Sequence, residues 1–164
     1  MEFSIGDYVV CPGHGVGQII EIENKTIAAQ EKQFYIIQIS NTGMKVMVPC
    51  DSKNGIRTLS DQAEIDDVFT LLNDHDVQVD TSTWNRRYRE YMKKVKTGSI
   101  IEIADVMRSL YLLKHKKLLS FGEKKLLEEC TNLVVREIAV STGDEEDKIM
   151  DNVNNCFPGP VKEA

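Results

Sequence analysis

Tyr8-Val9-Val10-Cys11-Pro12-Gly13-His14-Gly15-Val16-Gly17-Gln18-Ile19-Ile20-Glu21-Ile22 decides how the N-terminal third of the chain folds. Two runs rich in β-branched residues flank the break from Cys11 to Gly15, which has the composition of a turn between strands. The glycines suggest a phosphate loop at first sight, but the G-x-G-x-x-G spacing and the terminal Lys-Ser/Thr are missing, and a strand follows where a helix N-terminus would be needed. They read as turn glycines. Cys11 and His14 are three residues apart, and Cys50 is a conceivable neighbour across the fold, yet no fourth ligand is indicated; no metal is expected.

Working outward, Phe34 to Ile39 and Met44 to Val48, closed by Pro49, read as further strands. The polar stretch Glu23 to Glu31 and the tripeptide Asn41-Thr42-Gly43 separate them, the latter suited to a tight hairpin. Four or five short antiparallel strands in about sixty residues predict a small SH3-like or Tudor-like β-barrel over residues 1–60, an architecture typical of binding modules.

The pattern changes at Thr58. From there to Pro158 there is no proline and glycine occurs only at 98, 122 and 143, while apolar spacing shifts from two to three and four. Asp61 with Glu64, Ser99 with Glu102, Ser120 with Glu123 and Thr142 with Glu145 have capping-box spacing. Ile65, Val68, Phe69 and Leu72 form the stripe of a first helix. A second starts near Thr83, carries Trp84, Tyr88, Tyr91 and Val95 on one side, and stops at Thr97-Gly98. The fold class is therefore α+β in two domains: the barrel at 1–60 and a compact all-α bundle of about five helices at 61–157, followed by a disordered tail at 158–164.

Composition agrees with a globular protein: 164 residues, 41% hydrophobic, net charge −6. A chain of this length buries roughly 70% of its unfolded surface, enough for one good core or two small ones without disulfides. Cysteines at 11, 50, 130 and 156 form no C-x-x-C pair, so reduced thiols are the default. Met1-Glu2-Phe3-Ser4 has no secretory character and no run approaches the ~18 apolar residues of a membrane span. A cytoplasmic location is expected. His14, His75 and His115 lie in unrelated contexts and no nucleophile-base or paired-carboxylate set is spelled out, so neither an enzyme nor a cofactor is expected.

The total charge hides a strong segregation. Residues 1–60 sum to −1, 61–83 to −7, 84–125 to +8 and 126–164 to −6. A block of +8 is an electrostatic footprint for phosphate, because counterion release follows the local density of Lys and Arg; a solvated helical face paired with neighbouring acids is the alternative. Within this block, Thr83-Trp84-Asn85-Arg86-Arg87-Tyr88-Arg89-Glu90-Tyr91-Met92-Lys93-Lys94-Val95-Lys96 places Trp84, Tyr88, Tyr91 and Val95 within about 60° on a helical wheel, with Arg86, Arg89, Lys93 and Lys96 on the other side. Spacing alone favours a core role for Trp84. Its place at the helix entrance beside arginines favours a ring that wedges a base step while basic groups hold phosphates.

Three stretches carry a family likeness: Phe3-x-x-Gly6-Asp7-x-Val9-Val10-x-Pro12-x-His14-Gly15, Thr83-Trp84-Asn85-Arg86-Arg87-Tyr88, and Leu119-Ser120-Phe121-Gly122-Glu123-Lys124. With them the sequence resembles the CarD/CdnL family of bacterial transcription regulators, whose N-terminal module is shared with transcription-repair coupling factor. The resemblance implies a non-catalytic adaptor, nucleoid-associated through RNA polymerase. Its Tudor-like domain would dock on the β subunit and its helical domain would bind promoter DNA; the acidic blocks flanking the +8 block predict that such binding is weak and poorly specific when the protein is alone. It further implies that Trp84 enters the minor groove at the upstream edge of the melted bubble and stabilises the open complex. By position, the polymerase-facing residues would be Lys25, Ile37, Ile39, Met47 and Pro49. Some relatives carry an arginine where this chain has Met47. The DNA-facing residues would be Trp84, Arg86, Arg87, Arg89, Met92, Lys93, Phe121, Lys124 and Lys125. A monomer is expected, and the competing reading is a protein-interaction adaptor whose basic face meets an acidic partner.

Overall fold

Strands β1 (Tyr8–Cys11), β2 (Gly15–Ile27), β3 (Gln30–Ile39), β4 (Lys45–Pro49) and β5 (Arg57–Thr58) form one antiparallel sheet in the order β4-β3-β2-β1-β5. The computed structural model describes residues 3–51 and 55–157, which fall into two units dividing between Leu59 and Ser60. The tail expected at 158–164 lies outside the described residues.

Between β1 and β2, Pro12 precedes Gly13, whose φ is +80°, and the His14 N–H donates to the Cys11 carbonyl at 3.0 Å. Proline supplies the first turn residue and glycine the left-handed second one, the requirement of a type II turn. Alternation then sends Val9, Cys11, Ile19, Tyr35, Ile37 and Ile39 into one buried cluster. The polar stretch Glu23 to Glu31, expected to separate strands, is instead the far half of the β2–β3 hairpin: pairing continues from Ile22↔Tyr35 out to Ile27↔Gln30. Ala28 and Ala29 close it, with φ of 52° and 63°. Two successive left-handed residues are what a two-residue hairpin needs, and alanine adopts them at a cost that Asn-Gly would not incur.

The second unit holds five helices, α1 (Gln62–Asn73), α2 (Trp84–Lys96), α3 (Ile100–Lys114), α4 (Phe121–Thr142) and α5 (Glu146–Asn155). Asp61 with Glu64 and Ser120 with Glu123 make complete capping boxes, and the Ser99 hydroxyl accepts from the Glu102 N–H. The box expected at Thr142 does not form. α4 runs through Thr142, whose hydroxyl donates back to the Ile138 carbonyl, and α5 starts after Glu145 without a side-chain cap. One core joins the helices, with Val68, Leu72, Met107, Leu110 and Cys130 fully buried in it. Each buried aliphatic side chain contributes roughly 1.5–3 kcal/mol. Ser60 belongs to this unit: its N–H donates to buried Glu137 at 2.9 Å, and its carbonyl accepts from the Ser141 hydroxyl at 2.6 Å.

Candidate functional site

Two helix starts meet at the site, Trp84 being the first residue of α2 and Phe121 the first of α4. The indole of Trp84 is half-buried and rests on Gly122, where a Cβ would lie 3.0 Å from Nε1 and 3.3 Å from Cε2 and Cζ2. Tyr88 and Tyr91 hold it from its own helix, with ring centroids 5.4 and 6.3 Å away. Trp84 is thus neither a sealed core residue nor a free wedge; one side is seated on the bundle while part of the ring meets solvent.

Arg87, expected on the DNA-facing surface, is buried at 6% exposure, a correction to that expectation. Its Nη2 lies 2.9 Å from Glu123 Oε2 as an ion pair, its Nε donates to the Ser82 carbonyl at 2.9 Å, and its guanidinium carbon is 5.2 Å from the Trp84 ring centroid. Three residues after Trp84 and four before Tyr91, Arg87 shares the packed side of α2. It braces the indole from beneath instead of reaching phosphate.

Glu123 is the other half of this arrangement. Burial pushes its pKa up, but the Ser120 backbone N–H, Lys117 at 3.0 Å, the Ser120 hydroxyl and Arg87 outweigh that and hold it at about 2. One carboxylate therefore caps α4, anchors Arg87 and so sets the platform for Trp84.

Around this platform Arg86, Arg89, Lys124 and Lys125 are exposed, as are Tyr88 at 44% and Phe121 at 83%. Tyr88, read as part of the packed stripe, faces solvent. Lys93 is exposed and 3.2 Å from Glu90, a pair worth little in water. Met92 is half-buried against the helical core and Lys94 is tied to Asp105. Sequence reasoning missed Gly122, whose signal is a glycine inside a helical pattern, tolerated where something packs closely.

In the first unit, Ile37 and Ile39 are 0% and 1% exposed, which corrects the expectation that they face a partner. They belong to the inward set of β3 with Tyr35. The opposite face of β3 carries half-buried Ile36 opposite Met47 and buried Phe34 opposite Pro49. Met47 is 46% exposed on β4, which forms an edge of the sheet. Lys25 is exposed near the hairpin end, 3.8 Å from Glu23.

Comparison with known proteins now decides the family. A model described as CarD, C-terminal domain, matches residues 67–154, and one described as CarD-like/TRCF RID domain matches residues 3–60. The chain belongs to the CarD/CdnL family. As a CarD-like protein it is a transcription regulator. YdeB of Bacillus subtilis (strain 168), assigned as a transcription factor, is 34% identical over 149 residues, covering 90% of this chain and 97% of YdeB. A solved structure described as CdnLNt from Myxoccoccus xanthus is 41% identical, covering 30% of this chain and 69% of that one, with a TM-score of 0.28. Among the described residues of this CarD-like chain, no helix is long and apolar enough to cross a membrane, and no three His, Cys, Asp or Glu side chains gather as metal ligands.

Proposed function

We propose that this CarD-like protein docks on the β subunit of RNA polymerase through its sheet unit and holds promoter DNA open through its helical unit. The observation that carries the second half is the seat of Trp84: a half-buried ring on Gly122, braced by Arg87 and ringed by exposed Arg86, Lys124, Lys125 and Phe121. Cationic side chains hold phosphates while an aromatic edge engages a base step, the combination that minor-groove binders use. A ring engaged only where strands have separated favours open over closed promoter DNA by its differential affinity, about tenfold in population for each 1.4 kcal/mol.

Docking through the sheet unit is supported by β4, a strand at the edge of the sheet on which exposed Met47 and half-buried Pro49 offer an apolar contact. The −7 and −6 blocks flanking the basic block argue that free DNA is bound weakly, and that tight engagement follows from the raised effective concentration once polymerase is held. The protein acts without catalysis, as a monomer in the cytoplasm, reaching the nucleoid with polymerase. The test is open-complex lifetime with Trp84→Ala, beside capture of polymerase core by the same variant. Faster collapse with unchanged capture is expected; a folded variant with an unchanged lifetime overturns the assignment.

A further inference from the structure

Helices α3, α4 and α5 line a groove of about 400 Å3 in the helical unit. Leu119, Leu127 and Thr131 form its buried wall, and Lys114, Lys117 and Lys124 stand around it. Its volume falls within the range of about 300–1,000 Å3 found for small-ligand sites. Lys124 lies both on this groove and on the proposed DNA face. Phe121, Lys124, Glu128 and Asn132, spaced three and four apart, follow one side of α4 from the seat of Trp84 into the groove. A strand leaving the indole thus meets a continuous path.

The lining selects among occupants. Lys117 is committed to Glu123, so the ammonium groups of Lys114 and Lys124 about an apolar slot are the ones that call for an anion with a flat, weakly polar body. A bare phosphate would leave Leu119 and Leu127 unused, and an acidic peptide would bring carboxylates against Glu128. A nucleotide satisfies these groups: its base lies on the apolar wall, its phosphates meet Lys114 and Lys124, and a base amino group can donate to the Glu128 carboxylate while the Asn132 amide donates or accepts beside it. We propose that this groove takes one unpaired nucleotide of single-stranded DNA, with an amino-bearing base such as cytosine preferred. The assignment rests on the DNA-binding reading above and extends it, since a held unpaired base adds a second interaction made only with melted DNA.

The experiment follows backbone amide shifts of the full chain during titration with a short oligodeoxycytidine, a blunt duplex, inorganic phosphate and an acidic peptide. The single strand is expected to move Leu118, Thr131 and Asn132; the duplex is expected to move Arg86 and Tyr88 and to spare the groove. Asn132→Trp, at an exposed helical position where the new ring fills the rim, should weaken single-strand binding about tenfold, the worth of one stacked base, and leave duplex binding unchanged. Lys114→Glu should act in the same direction. Silence of the groove amides, or equal shifts with duplex, phosphate or peptide, overturns the proposal. If Arg86 and Tyr88 respond while the groove is silent, only the groove assignment fails; if they too ignore every DNA, the DNA-binding reading fails with it.

Discussion

Glu123→Gln preserves the shape of a buried carboxylate while removing the charge that anchors Arg87. The wild-type carboxyl falls from an ordinary 4.5 to about 2 in the fold, because a backbone N–H, Lys117, the Ser120 hydroxyl and Arg87 overcome the opposing effect of burial. That depression corresponds to about 3 kcal/mol of preference for the charged form in the native state. Lys117 is half exposed and its share is screened, whereas Arg87 is sealed with the carboxylate. Removing one partner of a buried pair strands the other, at roughly 3–5 kcal/mol, a cost of the same size. Because the folded pKa is depressed, this stabilisation is fully present above about 4.5 and is lost as pH falls through about 2. Trp84 is the only tryptophan, so urea denaturation followed by its emission reports the helical unit alone. The wild-type protein should exceed Glu123→Gln by about 3 kcal/mol at neutral pH, and the gap should close across that acid window. A gap of about 1 kcal/mol or less at neutral pH, the size of an exposed pair, or one that persists to the acid limit, would refute the role given to Glu123.

Other outcomes test separate parts of the structure. Replacing Ala28-Ala29 by Asn-Gly relieves two left-handed alanines and should stabilise the sheet unit by about 1 kcal/mol, read as slower amide exchange in β2 and β3; unchanged exchange would mean that the turn carries no such cost. Burial lifts the Cys11 thiol to about 11 and the Cys130 thiol to about 12, and raises that of Cys156, so in the native protein a thiol-disulfide reagent should label half-buried Cys50 first and the others only on unfolding. Rapid labelling of two or more thiols would contradict that packing. Met47→Asp should leave the sheet folded yet cut capture of polymerase at least tenfold, whereas Ile37→Asp, which buries a charge, should unfold the sheet unit. Wild-type capture by Met47→Asp would move docking away from β4.

Local chemistry made much of this protein legible before any tertiary contact was known. The Pro12-Gly13 turn, the Asp61 and Ser120 capping boxes and the switch of period at Thr58 all depend on residues within four positions of one another, and the five helices follow from them. The aromatic and basic stretch from Trp84 to Lys96 likewise marked where the site lies. Three features needed the assembled fold. Period two separates Ile36 from Ile37 but cannot say which faces inward; that is decided by where β2 and β4 pair with β3. The exposed half of the β2–β3 hairpin has no apolar alternation to announce it, because cross-strand hydrogen bonds and not burial hold its register. Arg87 falls near the Trp84 side of its helix on any wheel, yet only the approach of α4 brings Glu123 to 2.9 Å and turns a phosphate-binding candidate into a buried brace. Side-chain phase is a property of the sequence, whereas the partner a charge finds across a helix interface is set by how the helices pack.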